Sequence, residues 1–121
     1  MIQLRTILTP ADNSGAKGLI VMGISAKIGK KATIGDVVNC VVHGADSAGI
    51  VTNKEKVKVL IVRTRKEIGR RDGSYVRFDD NAGVVIDKQG LPRGTRILGP
   101  IAREIKEMGY TKIASLSREV V

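Results

Sequence analysis

The sequence predicts a mainly β chain: a small closed barrel with a projecting basic hairpin, followed by a short C-terminal helical part. Three observations carry this. The apolar runs Leu19–Ile24, Val37–Val42, Val57–Val62 and Ala82–Ile86 are rich in Val and Ile, short enough for strands, and separated by turn residues. No long helical pattern stands between them, and an α/β fold would need helical crossovers. Aromatic residues make up only 2% of the 121, so Val, Ile and Leu must fill the core, as suits closely packed β structure.

Met1–Leu8 alternates loosely and reads as a first strand ended by Thr9-Pro10, and Ala11–Ala16 is a polar, turn-rich loop. Leu19–Ile24 is continuous in apolarity and so reads as a central strand, with Gly23 marking a bend. Ser25–Ala32 carries Lys27, Lys30 and Lys31, a basic loop whose plainest reading is a solvated hairpin tip. It is not a phosphate-binding P-loop, because five residues separate Gly23 from Gly29 where the motif has four, and Lys31 stands where Ser or Thr is required. Ile34-Gly35-Asp36 turns the chain into Val37–Val42, and Gly44–Gly49 reads as a flexible connection to the next strand.

Val57–Val62 has the composition of a core strand. Arg63, Arg65, Lys66, Arg70 and Arg71 follow it with only Glu67 to offset them, and Asp72-Gly73 supplies the chemistry of a tight reversal. Tyr75–Phe78 leaves that turn extended, Asp79–Asn81 makes a second turn, and Ala82–Ile86 returns to the core, so the basic segment is pinned at both ends. Lys88–Gly94 reads as an exposed loop and Thr95–Leu98 as a short extended piece. From Pro100 to Met108 the residues Ile101, Ala102, Ile105 and Met108 fall at helical spacing, with Pro in the first turn and Gly109 at the end. The other face of that helix, Arg103, Glu104, Lys106 and Glu107, is mixed in sign and reads as solvated, with local pairing sufficient there. Lys112–Leu116 reads as a last short strand and Ser117–Val121 as one further turn of helix.

Twenty-one Lys and Arg against twelve Asp and Glu give a net charge of +9, which predicts attraction to a polyanion. Nucleic acid leads over a membrane surface: no basic amphipathic helix or signal peptide is visible, and Ile2 stands where myristoylation would need Gly. The single cysteine, Cys40, excludes an internal disulfide and a multi-cysteine zinc site, and with His43 it reads as a packing or edge residue, so neither metal nor cofactor is expected. No catalytic constellation is convincing. Asp79 and Asp80 are better explained as turn residues, and Ser14 and Ser117 lack a suggestive base.

The basic loops suit phosphate, which Arg grips with two parallel N–H groups and Lys attracts as a point charge. Between Arg63 and Arg71 five cations stand against one anion, whereas a merely soluble surface intersperses the signs. Tyr75 and Phe78 are the only nearby aromatics, and Phe78 reads as core, so recognition by shape and backbone is expected over base stacking.

The run VLIVRTRKEIGRRDGSYVRFDDNAGVVI closely resembles the central signature of the universal large-subunit ribosomal protein L-fourteen family. The resemblance extends to Met1-Ile2-Gln3, Ala11–Ala16, Gly35-Asp36, Gly94–Ile97, Gly99-Pro100 and Ala102-Arg103-Glu104. It implies a single domain over 1–121, with a five-stranded barrel and hairpin in 1–98 and a C-terminal helical segment in 99–121. It implies a non-enzymatic structural constituent of the large ribosomal subunit, bound to large-subunit rRNA beside ribosomal proteins three and nineteen. It also implies intersubunit bridges made by touching small-subunit rRNA. Carried over, Lys30, Lys31, Arg63, Arg65, Lys66, Arg70 and Arg71 are the expected phosphate contacts, and Thr95, Arg96 and Lys112 the expected docking positions for the ribosome silencing factor.

Two departures stand out. Leu98 occupies a position where many members carry Phe, and Ala45–Lys56 lacks a basic Gly-rich character, so that loop is assigned no site residue. The end Lys112–Leu116 is of bacterial or organellar type, implying a cytoplasmic ribosome of bacterial type or a mitochondrial or chloroplast one. The competing reading is a free basic barrel that binds RNA or DNA as a chaperone or regulator.

Overall fold

The computed structural model describes residues 2–121, so Met1, the first residue of the expected strand 1–8, lies outside them. Five strands close a barrel: β1 (Ile7–Pro10), β2 (Leu19–Ile24), β3 (Val37–Val42), β4 (Lys56–Arg63) and β7 (Ala82–Ile86). The order around it is β1-β2-β3-β4-β7; every pairing is antiparallel except β1 with β7, which is parallel and closes the ring. Between β4 and β7 the chain makes a separate two-stranded hairpin, β5 (Ile68–Gly69) with β6 (Tyr75–Val76). Two short helices follow, α1 (Arg103–Glu107) and α2 (Thr111–Leu116).

The strands divide by what covers their outer face. In β3 burial alternates, Val38, Cys40 and Val42 facing the core while Asn39 faces out, the period-two pattern of a stave wetted on one side. The end of β4 from Val59 to Arg63, and all of β7, are buried on both faces. There the C-terminal segment lies over the barrel: Ile101, Ala102, Ile105 and Ile113 are fully buried in the same apolar cluster, and the Ala102 N–H donates to Val62 O at 3.3 Å. The bend expected at Gly23 is a bulge, with the register between β2 and β3 shifting between Val21 and Gly23.

Four expected elements differ. The first strand is Ile7–Pro10 and not 1–8. Ahead of it Arg5 takes a left-handed φ of 69° and gives its N–H to Val21 O, while Ile2 bridges Ala32, so the segment is held without forming a ladder. Thr9 and Pro10, read as its end, instead pair with Ala82 and Gly83 and close the barrel. Lys112–Leu116 is helical and not a strand, because Ile113 must reach the cluster that holds Ile105, and α1 and α2 pack on each other. Five residues with Ile113, Ala114 and Leu116 as their apolar members are too few to declare a period.

Ser117–Val121, expected as a turn of helix, is extended. Ile101 and Val120 form a parallel bridge, the Ile101 N–H donating to Glu119 O and the Val121 N–H to Ile101 O, each at 3.0 Å. That commitment keeps Pro100–Ala102 extended and delays α1 to Arg103, shortening the expected helix 100–108. Thr95–Leu98 makes only an isolated bridge, Asp12 with Ile97.

Candidate nucleic-acid interface

The barrel's connections sort the charged residues. Segments 25–36 and 64–81 leave the ends of β2 and β4 and return to the starts of β3 and β7, so topology puts both at one end of the barrel. Main-chain bonds lock that end: Gly35 N–H donates to Ile61 O at 2.9 Å, and Ile61 N–H to Asp36 O at 3.0 Å. These two segments carry six of the seven expected phosphate contacts, and the seventh, Arg63, is the last residue of β4. Connections 11–18, 43–55 and 87–96 meet at the other end, where Ala16 bridges Ala45 and Arg93 Nη1 lies 2.8 Å from Glu55 Oε2.

The hairpin reverses at Asp72-Gly73 as its residues dictate. Gly73 takes φ 87°, the Asp72 carboxylate accepts from the Ser74 N–H and hydroxyl, and Arg70 N–H donates to Ser74 O at 2.8 Å. Those two bonds from Ser74 are what hold the Asp72 carboxyl below its usual range. At the root, Phe78 N–H reaches Thr64 O and Arg65 N–H reaches the Asn81 side chain, while Phe78 packs against the core as its residue type suggested.

The seven expected phosphate contacts fall into two groups. Lys30, Lys31, Arg65, Lys66 and Arg71 are exposed. Lys30 and Lys31 follow a turn in which the Ile28 and Gly29 N–H groups donate to Ser25 O. Arg65 spends Nε on Asp79 O at 2.8 Å while its two terminal nitrogens make no hydrogen bond among the described residues, and Lys66 pairs with its neighbour Glu67 at 3.2 Å, a contact weak in water.

Arg63 and Arg70 are turned inward. Arg63 is only 8% exposed: Nη1 donates to Leu98 O at 3.1 Å and Pro100 O at 3.3 Å, and Nη2 to Asp80 Oδ2 at 3.4 Å. Its Nε lies 3.1 Å from Asp80 Oδ1, a contact made by charge and not by an aligned N–H. Gly99 passes directly over this guanidinium at φ 80°, and a Cβ there would collide with Nη1. Asp80, read as a turn residue, therefore also neutralises a buried cation. Arg70 Nη2 pairs with Glu104 Oε1 at 3.0 Å and donates to Val121 O at 2.6 Å, so on the outer face of α1 Glu104 is paired across the fold, while Arg103, Lys106 and Glu107 are exposed and make no ion pair among the described residues.

Two further cations share this end of the barrel. Lys27 is exposed in the same loop as Lys30, and Arg77 is exposed on the return leg of the hairpin, close enough to Glu67 to help hold that carboxyl low. Their position inside the two basic connections was the signal that could have added them.

Thr95, Arg96 and Lys112 are exposed. Asn13 braces the first two: its Oδ1 accepts from the Thr95 and Arg96 N–H groups at 2.8 and 3.0 Å, and its Nδ2 donates to Thr95 Oγ1 at 2.8 Å. Thr95 and Arg96 thus sit at the end opposite the hairpin. Lys112 lies on α2, two residues beyond Tyr110, whose ring lies against Gly90.

Elsewhere the reactive groups are occupied by structure. Burial pushes the Cys40 thiol up to about 12, which suppresses the thiolate. The Ser14 hydroxyl does have an acidic partner, Asp12 Oδ1 at 2.8 Å, but both residues are buried, and Asp12 Oδ2 accepts the Val85 N–H at 3.1 Å. Burial holds the Asp12 carboxyl above its usual range, and its bonds fasten the 11–18 loop to β7.

The family model described as ribosomal protein L14p/L23e matches residues 1–121. A large ribosomal subunit protein uL14 from Petrotoga mobilis is 52% identical over 121 residues, covering 99% of each chain. Proteins of the same description from Aquifex aeolicus and Aquifex pyrophilus are 53% and 52% identical over the full length of both chains.

Proposed function

Because the chain belongs to the ribosomal protein L14p/L23e family, and is a structural constituent of the large ribosomal subunit rather than an enzyme, we propose that the hairpin end of its barrel binds ribosomal RNA. The observation that carries this is one end of a closed barrel presenting Lys30, Lys31, Arg65, Lys66 and Arg71 outward on two connections. We add Lys27 and Arg77 to that set. A rigid barrel with cationic projections recognises the shape and phosphates of folded RNA, and Arg65 and Arg71 can each grip a phosphate with paired N–H groups. Arg63 and Arg70 serve the same surface from beneath, by holding its supports.

The hairpin end would face large-subunit rRNA, with small-subunit rRNA reached at an intersubunit bridge and ribosomal proteins three and nineteen as neighbours. The opposite end, with Thr95 and Arg96 braced by Asn13, together with Lys112 on α2, would dock the ribosome silencing factor. Separate surfaces would let that factor bind while the RNA contacts persist. Residues 1–121 act as one domain in this reading, and the bacterial-type relatives support a cytoplasmic ribosome over an organellar one.

Sedimentation of lysate at moderate and high salt tests this. The chain is expected in the large-subunit fraction at both salts; running free at both would reduce the family likeness to a shared fold and leave the basic end in need of another polyanion.

A further inference from the structure

An isolated two-stranded hairpin is at best marginally stable in water, and this one has two residues per strand. Gly69 and Tyr75 are exposed and Val76 is half-buried; of the four only Ile68 packs against the core cluster, so apolar packing holds the hairpin at a single residue of β5. The polar tie from the hairpin tip to the rest of the molecule is Arg70. Its Nη2 reaches Glu104 on α1 and the main-chain oxygen of Val121, in the extended segment that bridges Ile101. One guanidinium thus ties three segments together.

This pair is not an ordinary solvated one. The Arg70 and Glu104 side chains are 19% and 23% exposed, and Arg70 Nε and Glu104 Oε2 are buried without hydrogen-bond partners among the described residues. With part of each group withdrawn from water, removing one partner strands the other, and the pair resists opening. Glu104 is also a carboxylate beside a surface that binds polyanions, where its charge alone would weaken binding.

We propose that Arg70 and Glu104 form a latch fixing the hairpin on the C-terminal helical part, making Glu104 a positioning residue for RNA and Arg70 a support, not a phosphate ligand. This rests on the RNA-binding reading of the hairpin end. Arg65, Lys66 and Arg71 then owe their common presentation to a pairing across the fold.

The test uses the full chain with Glu104→Leu, Arg70→Met and the double substitution, whose net charge equals that of the parent. Amide exchange is read at Arg70, Gly73 and Phe78, with Ile61 as the barrel control, and binding to deproteinised large-subunit rRNA is titrated against salt. Each single substitution is expected to speed hairpin exchange about tenfold while Ile61 stays protected. Glu104→Leu is expected to weaken rRNA binding about fivefold with an unchanged salt slope, although it removes a negative charge. The double substitution, an apolar pair in place of the ionic one, is expected to recover both readouts.

Unchanged hairpin exchange in the singles overturns the latch. So does tighter binding with a steeper slope for Glu104→Leu, which would mean that Arg70 had been withheld from RNA. Recovery of exchange without recovery of binding in the double would make Arg70 a direct phosphate contact. If the parent chain does not bind rRNA, the functional reading fails, while the exchange readout still decides whether the latch exists.

Discussion

Arg63 at the root of the hairpin and Arg71 at its tip are the same residue type eight positions apart, and they do opposite things. Arg63 closes β4, where both faces are covered, and its guanidinium is surrounded by Asp80 and the carbonyls of Leu98 and Pro100. Arg71 is exposed beside the Asp72-Gly73 turn, with no ion-pair partner among the described residues. A run of cations therefore says where positive charge collects along the chain, and the cover over each backbone position decides whether that charge is used inside or offered outside.

The sharpest way to break this contrast is Arg63→Ala. It leaves Asp80 and two carbonyls without their shared donor and opens a void beneath Gly99, so a loss of about 3 kcal/mol is expected in urea unfolding. A change within about 0.5 kcal/mol, the usual range for a surface residue, would put Arg63 in the same class as Arg71.

The complementary experiment is Arg71→Ala, expected to leave the unfolding midpoint nearly unchanged. Its effect should appear in rRNA binding, where the slope of log affinity against log salt becomes shallower by about 0.7 to 0.9, the share of a single neutralised phosphate. An unchanged slope would remove Arg71 from the interface.

A smaller effect separates the two regions by pH. Glu55, at the barrel end away from the hairpin, is held below its usual range first by the Arg93 hydrogen bond, which folding brings from 38 residues away. Glu67, in the hairpin, is held low first by its own backbone and then by the adjacent Lys66, a neighbour the unfolded chain keeps. A carboxyl with a depressed folded pKa adds stability above its unfolded value that is lost as the pH falls through the folded one. Below the ordinary glutamate value of about 4.3, Glu55→Gln should therefore flatten the acid loss of stability more than Glu67→Gln does. Equal curves would mean that the Arg93 pairing contributes no more than a sequence neighbour.

Much of this molecule could be read along the chain. The Val- and Ile-rich runs became β2, β3, β4 and β7, Asp72-Gly73 became the hairpin turn, and Gly23 marked the bulge, because strand pattern and turn chemistry are written within a few adjacent residues. The two basic connections and the net charge were equally local facts, and they located the candidate interface. The parallel closure by Thr9 and Pro10 could not be seen this way, nor could the helical state of Lys112–Leu116, since each depends on a surface supplied from elsewhere. The inward turn of Arg63 and Arg70 belongs with these: apart from Asp80, their partners Leu98, Pro100, Glu104 and Val121 lie more than thirty positions away. Sequence by itself set the staves, the turn and the supply of charge. Only tertiary structure decided which charges are spent on holding the fold and which remain for a partner, because burial is a property of what packs over a residue and not of the residue.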